Sequence, residues 1–182
     1  MYKQKTLFGL TLALIAMVLG TALAMWSETL MVNVAVNTGE VKVKFSDWYC
    51  SDKGADPQAE GFHNTEGKDV ASCDISVEVR DGEGNPIKLL VTIDNAYPGY
   101  SVDVGLVIDN IGTIPVKLLS SSISEYDKEA LSVSLTVPED TQIDPGYNST
   151  YTLHITVLQG AAEKSTYTFE VTLTFAQWNE VP

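Results

Sequence analysis

Seven carboxylates crowd one stretch of this chain. Asp47, Asp52, Asp56, Glu60, Glu66, Asp69 and Asp74 stand there against only Lys53 and Lys68. Hard oxygen donors on a flexible loop suit calcium, which takes about six to eight oxygens from carboxylates, carbonyls and water. The expected ligands are Asp47, Asp52, Asp56, Asp69 and Asp74. No EF-hand loop is present, since Asp81 to Asn85 supplies only a fragment of that spacing. For any one carboxylate the alternative is a solvated loop that keeps the protein soluble. The summed charge favours cations: 11 Lys and Arg face 24 Asp and Glu, net −13. Chains so charged repel when packed side by side unless cations or unlike patches offset them. The same balance argues against a nucleic-acid partner.

Catalytic chemistry fares worse. Zinc hydrolysis needs two or three imidazoles and a carboxylate base converging on one ion. The chain has His63, in "GFHNTEG", and His154, in "YTLHITV", with no His-Glu-x-x-His. Composition permits a Ser-His-Asp triad, but there is no nucleophile-elbow motif. No catalytic residue is assigned and the protein is not expected to be an enzyme. His154 falls on the outward face of a strand, where a solvated histidine is expected.

Two cysteines occur, Cys50 and Cys73. A metal site would need further thiol or imidazole ligands, and only His63 is at hand, so a disulfide is expected. In the chain-entropy view, closing that loop stabilises the fold by about 3 kcal/mol. Asn148-Ser149-Thr150 is an Asn-x-Ser/Thr sequon just after a turn, a glycosylation candidate at Asn148.

The elements that must hold these groups are legible in the periodicity. Lys3 and Lys5 precede an uncharged apolar run, "LFGLTLALIAMVLG", and the small-residue triplet Ala22-Leu23-Ala24. That order is an export signal, with residues 1–24 expected to be cleaved; a retained membrane anchor is the alternative. Removing Lys3 and Lys5 with the leader would take the net charge from −13 to −15. A secreted, extracellular protein is expected, which agrees with a disulfide.

Beyond the leader the two-residue alternation of half-buried strands dominates. Tyr167, Phe169, Val171, Leu173 and Phe175 share one face; so do Tyr151, Leu153, Ile155 and Val157; Leu131, Val133, Leu135 and Val137; and Val102, Val104, Leu106 and Ile108. Val41–Phe45, Ile75–Val79, Ile87–Ile93 and Ile114–Leu119 are further strand candidates. With turn signals such as "DGEGNP", "DNIG" and "DPGY" between them, the class is all-β, a two-sheet sandwich of jelly-roll or immunoglobulin-like type preceded by an N-terminal apolar signal helix. Pro98-Gly99 and Pro145-Gly146 each start a core strand at a tight corner, and Tyr100 and Tyr147 are expected to pack over those corners. The sandwich is expected over 40–182, with an acidic, disulfide-pinned loop at 47–74.

Pro98-Gly99, an alternating strand and then Asn110-Ile111-Gly112-Thr113-Ile114-Pro115-Val116 resemble the exported β-sandwich subunits of the TasA and camelysin family. The segment after the leader, "MWSETLMVNVAVNTGEVKVKF", strengthens the likeness: Trp26, Ser27, Glu28 and Thr29 match that family's aromatic-Ser-acidic-Thr signature, and Gly39, Val41 and Val43 its glycine and first strand. The chain also looks like the cannula proteins, CanA-like subunits of extracellular tubes, through its size, its acidity and the cysteine segment "SDWYCSD" to "SCDI". The resemblance implies a jelly-roll-like subunit that polymerises by donating its N-terminal strand to a neighbour, with calcium assisting. Some camelysin relatives are described as metallopeptidases, a chemistry for which this chain lacks the imidazoles. The loop between Cys50 and Cys73 has no counterpart in the short TasA pattern, so interfaces there do not carry over.

The candidate donor strand lies within residues 25–39, with Val32, Val34 and Val36 as its apolar face and Asn37-Thr38-Gly39 as a hinge. A free N-terminal strand either pairs within its own body or completes a neighbour's exposed edge, and donation running head to tail yields an open polymer. The expected partner is therefore a homo-polymer of identical subunits, with membrane contact only through an uncleaved signal segment. A monomeric surface binding module, an adhesin or carbohydrate-binding domain, is the alternative. It would call for a row of exposed aromatics on one sheet face, whereas Trp26, Trp48 and Trp178 sit near the chain ends and the cysteine loop.

Overall fold

The computed structural model describes residues 2–24, 29–57 and 63–181. Trp26, Ser27 and Glu28 of the segment after the leader, and Glu60 of the acidic loop, lie outside the described residues. The chain divides into two units, Met1–Asn37 and Thr38–Pro182. The first contains one helix, α1 (Tyr2–Ala24), and an extended stretch without helix or strand from residue 29 on. The side chains described on α1, through Val18, are exposed, Leu7, Phe8, Leu10 and Leu14 among them. Among the described residues no helix is long and apolar enough to cross a membrane.

The second unit is built of strands: β1 (Val43–Cys50), β2 (Ser72–Arg80), β3 (Pro86–Asp94), β4 (Ser101–Asn110), β5 (Val116–Ile123), β6 (Leu131–Thr136), β7 (Gln142–Ile143), β8 (Asn148–Val157) and β9 (Val171–Gln177). All their pairings are antiparallel. They form a four-stranded sheet in the order β1-β4-β8-β6, a hairpin β2-β3, and a three-stranded sheet β7-β5-β9. Alternation decides which side chains enter the core. Val102, Val104, Leu106 and Ile108 of β4 and Tyr151, Leu153, Ile155 and Val157 of β8 are buried together, as their spacing requires. Against them pack Ile75 of β2, Leu89, Val91 and Ile93 of β3, and Val171, Leu173 and Phe175 of β9. Phe175 meets Tyr151 edge-on, with ring centroids 6.0 Å apart.

β1 runs further than periodicity alone suggests. A register shift between Phe45 and Asp47 inserts an extra residue, and the inward positions change from Val43 and Phe45 to Trp48 and Cys50, opposite Leu106 and Val104. Such a bulge breaks the two-residue rhythm. Asp47 consequently lies in β1 and Asp74 in β2, and the stretch between those strands is 51–71. On the other face Tyr49 lies over Gly105, where any Cβ would collide with its ring. Cys50 and Cys73 are bonded across a sequence separation of 23 residues, joining β1 to β2.

The Asn-x-Gly-Thr-x-Pro-Val stretch earns its form here. Asn110 is fully buried; its Nδ2 donates to the carbonyls of Ile114 (2.9 Å) and Ile143 (2.8 Å), and its Oδ1 accepts the Gly112 N–H (2.9 Å). Its backbone N–H donates to Tyr147 O, and its carbonyl accepts the Gly146 N–H. Gly112 must be glycine, because a Cβ there would run into the carbonyl of Glu40. Thr113 donates its N–H to Glu40 O and accepts the Glu40 N–H on its hydroxyl. The loop therefore grips the chain at Glu40 to Lys42, and Gly39 sits where a side chain would collide with Ile114. Asn110→Ala removes the hydrogen bonds to the Ile114 and Ile143 carbonyls and to the Gly112 N–H. It should lower unfolding stability by about 2–4 kcal/mol in a urea titration, with an unchanged denaturant slope.

Candidate functional site

Three groups of residues stand out, and the first is an absence of pairing. From Leu30 to Val36 the chain forms no helix and no ladder, and Leu30, Met31, Val32, Val34 and Val36 are between 77% and 89% exposed. Val32, Val34 and Val36 alternate with Asn33, Ala35 and Asn37, the pattern of a strand meant for a half-buried setting. The segment Thr29 to Gly39 carries no charge. Residues of high strand propensity are thus left exposed here without a ladder.

The second group lies at the first Pro-Gly corner. Tyr97-Pro98-Gly99-Tyr100 closes with the Tyr100 N–H donating to Tyr97 O, and Gly99 takes φ 95°, which L side chains avoid. The corner orients two phenols, whose rings meet edge-on at 6.0 Å. The Tyr97 hydroxyl donates to Asp56 Oδ2 and the Tyr100 hydroxyl to Asp52 Oδ2, both at 2.6 Å. Asp56, only 2% exposed, also accepts the Val70 and Ala71 N–H groups. Burial disfavours its charge, yet the Tyr97 hydroxyl and these two N–H groups outweigh that and hold its carboxyl below the usual range. Burial first, then the Asp56 hydrogen bond, pushes Tyr97 up to about 12, and burial with the Asp52 hydrogen bond pushes Tyr100 upward as well.

The corner holds two of the expected calcium ligands, Asp52 and Asp56. Asp52 Oδ1 is buried and has no hydrogen-bond partner, and both Asp52 and Asp56 act on both tyrosines. The other expected calcium ligands lie apart from it. Asp47 accepts the Trp48 N–H on β1, Asp74 is exposed on β2 opposite Thr92, and Asp69 is exposed in the loop. Glu66 pairs with Lys68 at 2.9 Å. Among the described residues no three acidic, histidine or cysteine side chains gather as a metal-ion site. The tyrosines were not singled out as carboxylate partners from sequence; the signal available was their place on either side of Pro98-Gly99. The second corner differs: Gly146 has φ 80°, but Tyr147 is 69% exposed.

The third group crosses the outward face of the four-stranded sheet. His154 of β8 bonds Asp103 Oδ1 of β4 through Nδ1 (2.7 Å) and Thr136 Oγ1 of β6 through Nε2 (2.8 Å). An ionised Asp103 can only accept, so Nδ1 is the donor in that bond, while the Thr136 hydroxyl can either donate to or accept from Nε2. Carboxylate, imidazole and hydroxyl stand in the order of a nucleophile-activating relay. Here the row lies on an open sheet face and belongs to neither of two surface hollows, one lined by Ile123 to Glu129 and one by residues including His63, Lys68 and Tyr97. The row ties three neighbouring strands by cross-strand hydrogen bonds. The solvated histidine expected from sequence is outward-facing and bonded. Asn148, the glycosylation candidate, is exposed at the start of β8.

The tyrosine corner makes the fold sensitive to alkali. Because Tyr97 keeps its proton to about 12 when folded, against about 10 when unfolded, its stabilising contribution is full below pH 10 and lost as pH rises toward 12. Asp56 works oppositely: its contribution is present above pH 3.8 and is lost as pH falls through its lowered folded value. Urea midpoints measured from pH 9 to 12 should fall with rising pH, and Tyr97→Phe should reduce that fall while costing about 1–3 kcal/mol at pH 7. A Tyr97→Phe profile parallel to that of the unchanged protein would refute the assignment. No family model, curated protein or solved structure matches the chain.

Proposed function

We propose that this protein is a structural subunit of an extracellular filament or tubule, joined head to tail by its N-terminal segment. The observation that carries the reading is the stretch from Leu30 to Val36, apolar, alternating and without a strand partner in its own unit. A β-strand with nothing to pair with is stabilised by adding to another chain's sheet, where its backbone groups are satisfied and alternate side chains are buried. One strand given and one edge offered by each chain generate an open polymer rather than a closed dimer. The body is read as a jelly-roll-type sandwich, and α1 as an export leader removed near Ala24, which would free the segment close to the new N-terminus. The resemblance to the TasA, camelysin and cannula subunits points the same way.

Calcium is read as an assembly partner. Without the leader each subunit would carry net −15, the full chain's −13 less Lys3 and Lys5, so neighbouring subunits repel until divalent ions screen or bridge them. Asp52 has a buried oxygen without a hydrogen-bond partner; Asp47, Asp69 and Asp74, on the surface, would serve contacts between subunits. Asn148 is read as a glycan acceptor on the exposed side of the assembly.

Two measurements test the proposal. The leaderless protein should form filaments in millimolar calcium, seen by negative-stain microscopy and light scattering, and chelator should prevent their growth. Equal growth in chelator and in calcium would remove the cation from the account. Val34→Asp in the full segment, or a chain beginning at Gly39, should keep its circular dichroism and remain monomeric with calcium present. Normal filaments from either would show that the segment is not the joining strand.

A further inference from the structure

The outward face of the four-stranded sheet carries an aromatic ring and a set of polar groups that the assembly reading leaves unused. Gly105 sits in the middle of β4 without the positive φ that would call for glycine, so what it supplies is room. A glycine inside a strand weakens it and marks the close approach of another group. Here that group is the Tyr49 ring, which lies over Gly105 and is still 44% exposed. Register across the sheet places Tyr49, Gly105, Thr152 and Thr136 in one row, and Asp103, His154 and Ser134 in the next. Neighbours within a row stand about 5 Å apart and the two rows about 7 Å apart. Ring and carboxylate therefore share one patch. Asp103 engages His154 through Oδ1 and leaves Oδ2 open, while Thr136 holds the imidazole from its other side. Both members of the pair reach solvent, with side chains 49% and 39% exposed for Asp103 and His154.

We propose that this patch binds a neutral saccharide, with Tyr49 as the platform under one sugar ring and Asp103 as the acceptor of its hydroxyls. Charge narrows the ligand first: the face sets Asp47, Asp103 and Asp109 against Lys44, which repels phosphate, sulfate and other anions. A metal ion fits no better, because the imidazole and the carboxylate are bonded to each other. An apolar partner would strand the hydroxyls of Ser134, Thr136, Thr150 and Thr152, which cover much of the remaining face. A sugar meets all three conditions. Its ring C–H groups are drawn to the electron-rich face of the phenol, and adjacent hydroxyls can donate to an ionised carboxylate, an acceptor on both oxygens. The threonines both donate and accept. His154 already fixes Asp103, so little freedom is lost when the ligand arrives. One ring serves one sugar unit rather than the run that a row of aromatics would hold, and the expected affinity is millimolar. The patch lies wholly within the second unit and does not depend on how copies of the chain assemble.

The test is saturation-transfer NMR on the leaderless full-length protein in chelator, with cellotetraose, mannotetraose and chitotetraose as separate probes. The protein is made in a host that adds no glycan, since Asn148 lies on the same face, opposite Asp109. Transfer to the C–H protons of at least one probe is the expected result. Tyr49→Ala should weaken that binding about tenfold, and Asp103→Asn about fivefold. Tyr147→Ala and Trp178→Ala, at exposed aromatics of other surfaces, should leave it unchanged. Circular dichroism checks the fold of each variant, and the solvent-exposed Asp103→Asn decides the matter if Tyr49→Ala does not fold. No transfer to any of the three probes overturns the proposal. Transfer that survives Tyr49→Ala or Asp103→Asn at full strength, or that disappears with Tyr147→Ala or Trp178→Ala, overturns the site.

Discussion

The buried side chain of Asn110 is the constraint on which the rest of the body is hung. A fully buried amide has two donors and an acceptor to satisfy, and leaving any of them open costs free energy that a marginally stable fold cannot spare. Here the loop after β4, β7 and the second Pro-Gly corner are bent to meet that demand. Because the same loop grips Glu40 to Lys42, the amide also determines where the N-terminal segment leaves the body. Lys42 adds a second tie, reaching Glu83 in the β2-β3 turn at 2.6 Å.

At the opposite end of β4 the first Pro-Gly corner does comparable work with different chemistry. Two tyrosines bring the acidic loop against the core, and the Cys50–Cys73 bond holds the same loop at its base. Asp56 is a buried charge made tolerable by three donors, whereas Asp52 keeps an oxygen unused. A fold rarely buries a carboxylate oxygen without a partner, and this one lies where the acidic loop meets the sheet.

In the opposing layer β3 pairs only with β2 and β9 only with β5, and Val91, Ile93, Val171 and Leu173 pack on the core yet remain half-buried.

Sequence alone determined a good deal. Alternation marked the buried faces of β4, β6 and β8, because a strand's period of two is a local property of the backbone. The signs of φ at Gly99 and Gly146 followed from Pro-Gly, and the lone pair of cysteines led to their bond. Local rules failed where the answer depended on a partner strand. The bulge at Phe45 and Asp47 hid the second half of β1; β7, two residues long, has no period to read; and Tyr97 and Tyr100 meet Asp56 and Asp52 only because the loop folds back. Asp103, His154 and Thr136 come together through the register of three strands, and the half-buried faces of β3 and β9 through a pairing that does not form. Register and sheet order are set by contacts between residues far apart in the chain, which no short window of sequence contains, and so only the tertiary structure decided them.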